Sequence, residues 1–302
     1  MSILFSNEIV NAVINELSNA EKSVQIISAY CKKKTFEKLN SVIAKDVQKK
    51  KLLIRFRLDD VLKGSTDFEV LNYGIENGWD VFVRFDLHAK TYIIDNKRGL
   101  VGSANATNSG LNIGKVGNME IATFVDIEPE DLEKINGLFN DAIHVDENIL
   151  SIMKRQYESI EPAEKQKSHS WNDEITKQFN PCISTLFSYE LPEDFELIEG
   201  EYFSFLDYVY SGDINTFKEV FRWSNSYLWL LNQLKNNNGE MYFGALTDKL
   251  HDALITDPKP YRRDVKQMLA NLLDLIGRLK MNEVIIDRPN HSQRVRLTTI
   301  IK

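Results

Sequence analysis

The chain has 302 residues, 43% of them hydrophobic and 27% charged, with a net charge of −7. That describes a globular protein long enough for two cores, and it excludes a uniformly basic sleeve for nucleic acid. No apolar run approaches the ~20 residues that span a bilayer, and the first residues lack the pattern of a secretory signal. Cys31 and Cys182 lie far apart with no metal-ligand spacing. The expectation is a cytoplasmic protein with reduced thiols, no membrane association, no metal and no cofactor. Charge is uneven: from Leu250 to Lys302, ten Lys and Arg oppose six Asp and Glu, a local balance of +4 against −11 elsewhere. Only that end suits a phosphate backbone.

The predicted elements begin with an amphipathic helix over 8–17, with Ile9, Val13, Ile14 and Leu17 on one stripe. A mostly apolar strand over 24–30 precedes a helix over 35–50, a strand over 52–58 and a short helix over 68–77 that stops before Gly78. Strands follow over 79–85, 87–95, 100–101 and 120–125, and one or two helices fill 131–160. Helices between apolar strands predict an α/β layered domain over 1–160. Residues 161–173, polar and without period, read as a linker. Beyond it, helices are predicted over 224–235, 242–254 and 262–280. Two β-branched runs, 283–287 and 294–301, flank a Pro-Asn turn and read as a hairpin. Residues 174–302 therefore read as a mainly helical, winged-helix-like domain for DNA or partner binding. No internal repeat is present.

One constellation carries chemistry: His88-x-Lys90, four residues to Asp95, six to Gly102-Ser103-x-Asn105. An alternating strand would point His88 and Lys90 to one face, and the Gly-Ser-x-Asn turn would bring hydroxyl, amide and backbone N–H groups to the same spot. This is a pocket for a tetrahedral anion with a nucleophile inside it. Lys90 neutralises charge, Ser103 and Asn105 donate hydrogen bonds, and neutral His88 attacks phosphorus to form a phosphohistidine. Glu120 is the expected acceptor on the other ring nitrogen of His88. Attack and leaving-group protonation come from opposite sides of phosphorus, yet no second HxK occurs in the chain. A two-fold homodimer supplies a second His88.

The spacing His88-x-Lys90-x4-Asp95-x6-Gly102-Ser103-x-Asn105, with Glu120 downstream, resembles the HKD motif of the phospholipase D superfamily. Ile26-Ile-Ser-Ala-Tyr30, Ser65-Thr-Asp67 and Val101-Gly-Ser-Ala-Asn-Ala-Thr107 resemble its single-motif bacterial branch of nonspecific nucleases and metal-independent restriction endonucleases. The resemblance covers about residues 1–160. It implies an α/β/α sandwich, a dimer sharing one site, a phosphohistidine intermediate, and a structural role for Asp95 with Gly102. It further implies DNA cleavage in restriction or phage defence, with a partner protein of such a system. Lipid-acting members generally carry two motifs, which lowers a phospholipid substrate; a non-catalytic DNA-binding module on the same scaffold is the other alternative.

Other residues admit plainer readings. Asp59 and Asp60 suit a helix entry better than a metal site. His144, His169, His251 and His291 read as surface, with His291 a phosphate contact in one alternative. Trp223, Tyr227, Trp229 and Leu230 fall at helical spacing and read as core. Arg262, Arg263 and Lys266 open a helix that either enters a DNA groove or is a solvated face. Arg288, Arg294 and Arg296 on the hairpin would track the backbone.

Overall fold

The computed structural model describes residues 3–114, 117–165, 168–193, 196–289 and 292–298. The chain divides into two compact units, Met1–Phe179 and Asn180–Lys302.

The first unit is built on eight strands: β1 (Ile3–Phe5), β2 (Ser23–Ser28), β3 (Lys49–Arg55), β4 (Asp80–Arg84), β5 (Lys90–Ile94), β6 (Arg98–Gly102), β7 (Ile121–Asp126) and β8 (Ile143–His144). Their order across the sheet is β1-β7-β6-β5-β2-β3-β4-β8. The β2–β3 and β3–β4 pairs are parallel and the others antiparallel. The helices are α1 (Ser6–Ser18), α2 (Lys33–Ser41), α3 (Leu58–Leu62), α4 (Glu69–Glu76), α5 (Pro129–Asn140), α6 (Glu147–Ser159) and the single turn α7 (Asp173–Thr176).

Strand alternation divides the apolar residues between two faces. Ile27, Leu53, Phe82 and Ile93 project to one side, where Phe139, Ile135 and Leu138 of α5 cover them. Ile26, Leu52, Val81, Tyr92 and Leu100 project to the other and are buried or nearly so. There α4 approaches so closely that a Cβ on Gly74 would stand 2.7 Å from Val81 Cγ2. Glu16 of α1 pairs on that side with Arg98 at 3.5 Å. The result is a helix–sheet–helix sandwich, the expected fold class. The cover is incomplete: toward β1, α5's face exposes Ile3 (62%), Phe5 (49%), Val101 (40%) and Ile121 (47%).

Three expectations need correction. The helix expected over 35–50 ends at Ser41, and Lys49 already belongs to β3. Leu39, Ile43 and Val47 recur every four residues and imitate a helical stripe, but Ile43 and Val47 are buried from irregular backbone. The strand expected from residue 87 begins only at Lys90, which leaves His88 on the segment leading into it.

The third correction concerns 161–173, expected as a linker. Trp171 is buried (3%), stacks on Phe56 at 5.8 Å and 4°, and donates its Nε1–H to the Phe56 carbonyl at 2.6 Å. Ile175 and Phe179 are buried further on, with the Phe179 ring 5.1 Å from that of Phe85. Burial here rests on three well-spaced apolar side chains, too few to lift a polar stretch above background. His169, expected on the surface, is half-buried; its backbone N–H donates to Asp59 at 2.6 Å.

The second unit begins with a small hairpin, β9 (Tyr202–Phe203) and β10 (Tyr208–Val209), then α8 (Ile214–Arg222). There follow α9 (Asn225–Asn236), β11 (Glu240–Tyr242), α10 (Phe243–Ala253), α11 (Arg262–Leu279), β12 (Val284–Asp287) and β13 (Arg294–Leu297). The sheet order β11-β13-β12 makes this helix, strand, two helices and hairpin a winged-helix arrangement. Tyr227, Trp229 and Leu230 are fully buried in its core, as their spacing indicates, and Trp223 is half-buried. Ser224 caps α9 by accepting from Tyr227 N–H at 3.3 Å. No described helix is long and apolar enough to cross a membrane.

Trp171→Ala should destabilise the first unit by about 3–5 kcal/mol in urea unfolding. A solvated linker position would change stability by less than about 0.5 kcal/mol.

Candidate active site

Register assembles the site. Ser28 at the end of β2 pairs with Lys90 at the start of β5, Thr91 with Val101 at the end of β6, and Gly102 with Ala122 at the start of β7. Antiparallel neighbours thus bring two strand starts and two strand ends to one rim. On that rim lies an open depression of about 520 Å³ lined by His88, Ala89, Lys90, Thr91, Val101, Gly102, Ser103 and Asn105. Five of the expected site residues line it together. Gly102 is required there, since a Cβ would stand 2.3 Å from the Ile121 carbonyl oxygen.

Asn105 is oriented by the backbone. Its Oδ1 accepts the Tyr30 N–H at 3.1 Å, and because a backbone N–H only donates, the amide nitrogen is the end left to donate elsewhere. The same loop is tied to β2: Ala106 N–H donates to Ser28 Oγ at 2.9 Å, and Lys32 N–H to the Ala106 carbonyl at 3.0 Å.

Lys90 is buried at 9% exposure, and its Nζ donates to the His88 carbonyl at 2.5 Å. Burial and then the nearby Arg55 charge lower its pKa, with Glu120 acting the other way. His88 is exposed, and its pKa too is lowered, by burial, then Lys90, then Arg55. An imidazole lowered from its ordinary value near 6.5 is a neutral lone-pair donor at pH 7. The depression therefore combines an uncharged imidazole, a cation and an oriented amide donor.

Glu120 differs from expectation. Its carboxylate accepts the Ser103 hydroxyl and, at 3.1 Å, the Asn118 side-chain amide, rather than the His88 ring. The Gly102–Ala122 register seats Ser103 beside Glu120, and Ser103 N–H donates to the Ile121 carbonyl at 3.0 Å. The hydroxyl expected on an anion is thus committed to Glu120, and Glu120 acts electrostatically on Lys90.

Asp95 stands at the far end of β5 from Lys90, five residues or about 17 Å away. It adopts φ 53°, and Asn96 φ 55°, in the tight β5–β6 turn. Its Oδ1 accepts N–H groups from Lys22 at 2.6 Å and Ser23 at 2.9 Å, and its Oδ2 accepts Glu21 N–H at 3.1 Å. Burial would raise its pKa, but these N–H donors, Ser23 foremost, more than offset it and hold the carboxyl below its ordinary value. Asp95 fastens the α1–β2 connection to the β5–β6 hairpin.

The basic residues of the second unit fare unequally. Arg263, Lys266 and Arg288 are exposed, Arg263 at 95% with Asp264 3.6 Å away. Arg262 pairs with Asp248. Arg294 grips Asp287 through two bonds of 3.0 and 2.9 Å and reaches Glu240 at 3.2 Å, and Arg296 also meets Asp287 at 3.2 Å. The last two therefore spend their charge on strand carboxylates instead of presenting it as a basic wing. His291 lies outside the described residues. Asp59 and Asp60 fall in the first turn of α3 behind Arg57, where Lys63 and Arg55 respectively pair with them. Arg55 and Tyr30 are site neighbours to which motif reading gave no role; the available signals were Tyr30 closing the segment Ile26-Ile-Ser-Ala-Tyr30 and an arginine following the apolar Leu52-Leu-Ile54.

Residues 13–143 match the family model described as "Cardiolipin synthase, PLD-like domain". Among solved structures, the chain is similar to Nuc, a phospholipase D family member from Salmonella typhimurium, at 18% identity over 48% of this chain and 97% of that one, TM-score 0.39. It is similar to NucT from Helicobacter pylori at 17% identity over 48% and 98%, TM-score 0.36. Phosphatidylserine synthase from Haemophilus influenzae Rd KW20 shares 15% identity over 56% and 45%, TM-score 0.40. No curated protein matches the chain.

Asp95→Asn keeps the shape and tolerates the left-handed backbone but loses the charge on three N–H donors. It should cost about 1–3 kcal/mol at pH 7. Because the folded carboxyl titrates below its unfolded value, the wild-type advantage is present above pH ~4 and shrinks as pH falls through the folded pKa. Urea midpoints of both proteins at pH 7 and pH 3 check this.

Proposed function

We propose that this chain, whose residues 13–143 carry a PLD-like domain, is a phosphodiesterase that cleaves nucleic acid, DNA foremost, without a metal ion. The observation carrying the reading is the depression that unites exposed His88, buried Lys90 and the outward amide of Asn105. In the first step His88 attacks phosphorus, a P–N bond forms, and the P–O bond to the leaving group breaks. The leaving oxygen takes its proton from the His88 of a second copy, the ring of the pair that the bound diester's negative charge holds protonated while the attacking ring is neutral. Water then attacks the phosphohistidine, gives a proton to the second copy's imidazole, and releases the attacking His88 as the P–N bond breaks. Lys90 and Asn105 hold the non-bridging oxygens throughout.

A homodimer is part of the proposal because one chain offers one such imidazole. The uncovered sheet face supports it: Ile3, Phe5, Ile121 and Val101 form an apolar strip running up to the depression, which Val101 itself lines. Nucleic acid is supported by the winged-helix order of the second unit and by exposed Arg263, Lys266 and Arg288. The restriction or phage-defence setting, a partner protein of that system and a cytoplasmic location belong to the same proposal.

Purified protein should cleave plasmid or single-stranded DNA in excess EDTA, and His88→Ala should lower the rate at least ~10³-fold. Cleavage that appears only on adding magnesium overturns the mechanism. Phosphatidic acid released from cardiolipin vesicles, with DNA left intact, would replace the substrate with a lipid.

Ile121→Lys places a charge on the apolar strip without touching His88. Sedimentation should show a shift from dimer to monomer with cleavage lost in parallel; a fully active monomer removes the shared site.

A further inference from the structure

Arg55 is the last residue of β3, one step beyond Ile54, which pairs with Ser28, the β2 partner of Lys90. It therefore stands on the rim of the depression. Its Nε and Nη2 donate to the two oxygens of Asp60 at 2.8 and 2.9 Å, and Nη2 also donates to the Tyr30 hydroxyl. The guanidinium carbon lies 4.7 Å from the centroid of the Tyr30 ring. Tyr30 is the residue whose backbone N–H fixes Asn105. A continuous relay thus runs from Asp60 through Arg55 and Tyr30 to the amide that faces the depression. Joining β3 to α3 requires only the Asp60 pair; the grip on Tyr30 is additional.

We propose that Arg55 is a positioning residue of the His88–Lys90 site, holding the Asn105 donor in place through Tyr30 and setting a second positive charge at the end of the sheet where His88 and Lys90 stand. The charged groups acting on His88 are Lys90 from β5 and Arg55 from β3. Glu120, ahead of β7, acts on Lys90. Asp86, two residues before His88, is gripped by Arg84 at 2.8 and 2.9 Å. Burial foremost, then Lys90 and Arg55, displace the His88 pKa downward, so the two cations add to what desolvation begins. Lysine in place of Arg55 keeps the charge but lacks the planar fork that holds Asp60 and Tyr30 at once. Charge and clamp are therefore separable by substitution.

The proposal's activity arm rests on His88 being the nucleophile; its titration arm does not. Imidazole ¹H–¹⁵N spectra of the full chain follow the five histidines in wild type, Arg55→Gln, Arg55→Lys and Tyr30→Phe. Arg55→Gln should raise the His88 midpoint while the other four histidines stay put, and Arg55→Lys should leave it unchanged. With a diester substrate, the acid limb of kcat/KM should move to higher pH in Arg55→Gln. Arg55→Lys and Tyr30→Phe should instead lose roughly 10-fold in kcat with no movement of the limb. An unmoved His88 midpoint in Arg55→Gln overturns the electrostatic half. Wild-type kcat in both Arg55→Lys and Tyr30→Phe overturns the relay. If the wild type cleaves no diester, the function fails separately, and the Asn105 side-chain amide resonance decides the relay: displaced by Tyr30→Phe if Arg55 holds it, unmoved if not.

Discussion

The antiparallel ladder across β2, β5, β6 and β7 is the constraint on which the site depends. Strand partners lie about 5 Å apart, so pairing Ser28 with Lys90 and Gly102 with Ala122 leaves little freedom in where the connecting loops emerge. His88, Ser103, Asn105 and Glu120 all sit within a few residues of those pairs. A one-residue slip would turn Lys90 to the opposite face and carry Ser103 past Glu120. Asp95 guards against it from the other end of β5, where its carboxylate locks the hairpin turn onto the start of β2. A residue some 17 Å from the depression thereby serves it through geometry alone.

On this scaffold the electrostatics follow from what is buried and what is not. Lys90 surrenders most of its solvent, and Glu120, satisfied by Ser103 and Asn118, acts on it electrostatically. Arg55 adds a second cation whose hydrogen bonds go to Asp60 and Tyr30. The imidazole is left exposed beside two positive charges, a setting that opposes its protonation and favours an incoming anion. Among the described residues, part of the sheet face adjoining this rim has no helix over it, and Ile3, Phe5, Val101 and Ile121 are exposed there.

How much of this was legible depended on whether the signal is local. His88-x-Lys90 and Gly102-Ser103-x-Asn105 are short spacings at the ends of adjoining strands, and local order carries them intact into the depression. The three long helices and the hairpin of the second unit were legible for a similar reason, since a stripe such as Val265, Leu269, Leu272 and Ile276 spans a single helix, whereas the three-residue β11 that completes the winged-helix order was not. Glu120 was found, but its partner was assigned wrongly. The chain shows a carboxylate near the site; only the β6–β7 register shows that Ser103 reaches it first. Trp171 was missed because one aromatic in a polar stretch has no period, although it finds Phe56 across 115 residues. Arg294 and Arg296 looked like a basic wing because Asp287, seven and nine residues away, becomes their neighbour only when the hairpin closes.

The amino-acid order alone thus determined the α/β layering, the motif and its chemical class, because these rest on periodicity and on residue types a few positions apart. Tertiary structure alone decided that Tyr30 turns the Asn105 amide outward, that Arg55 joins the rim, and that residues 171–179 close the first unit. Each of those depends on pairing between strands or rings distant in the chain, where packing and hydrogen-bond satisfaction, rather than local preference, select the partner.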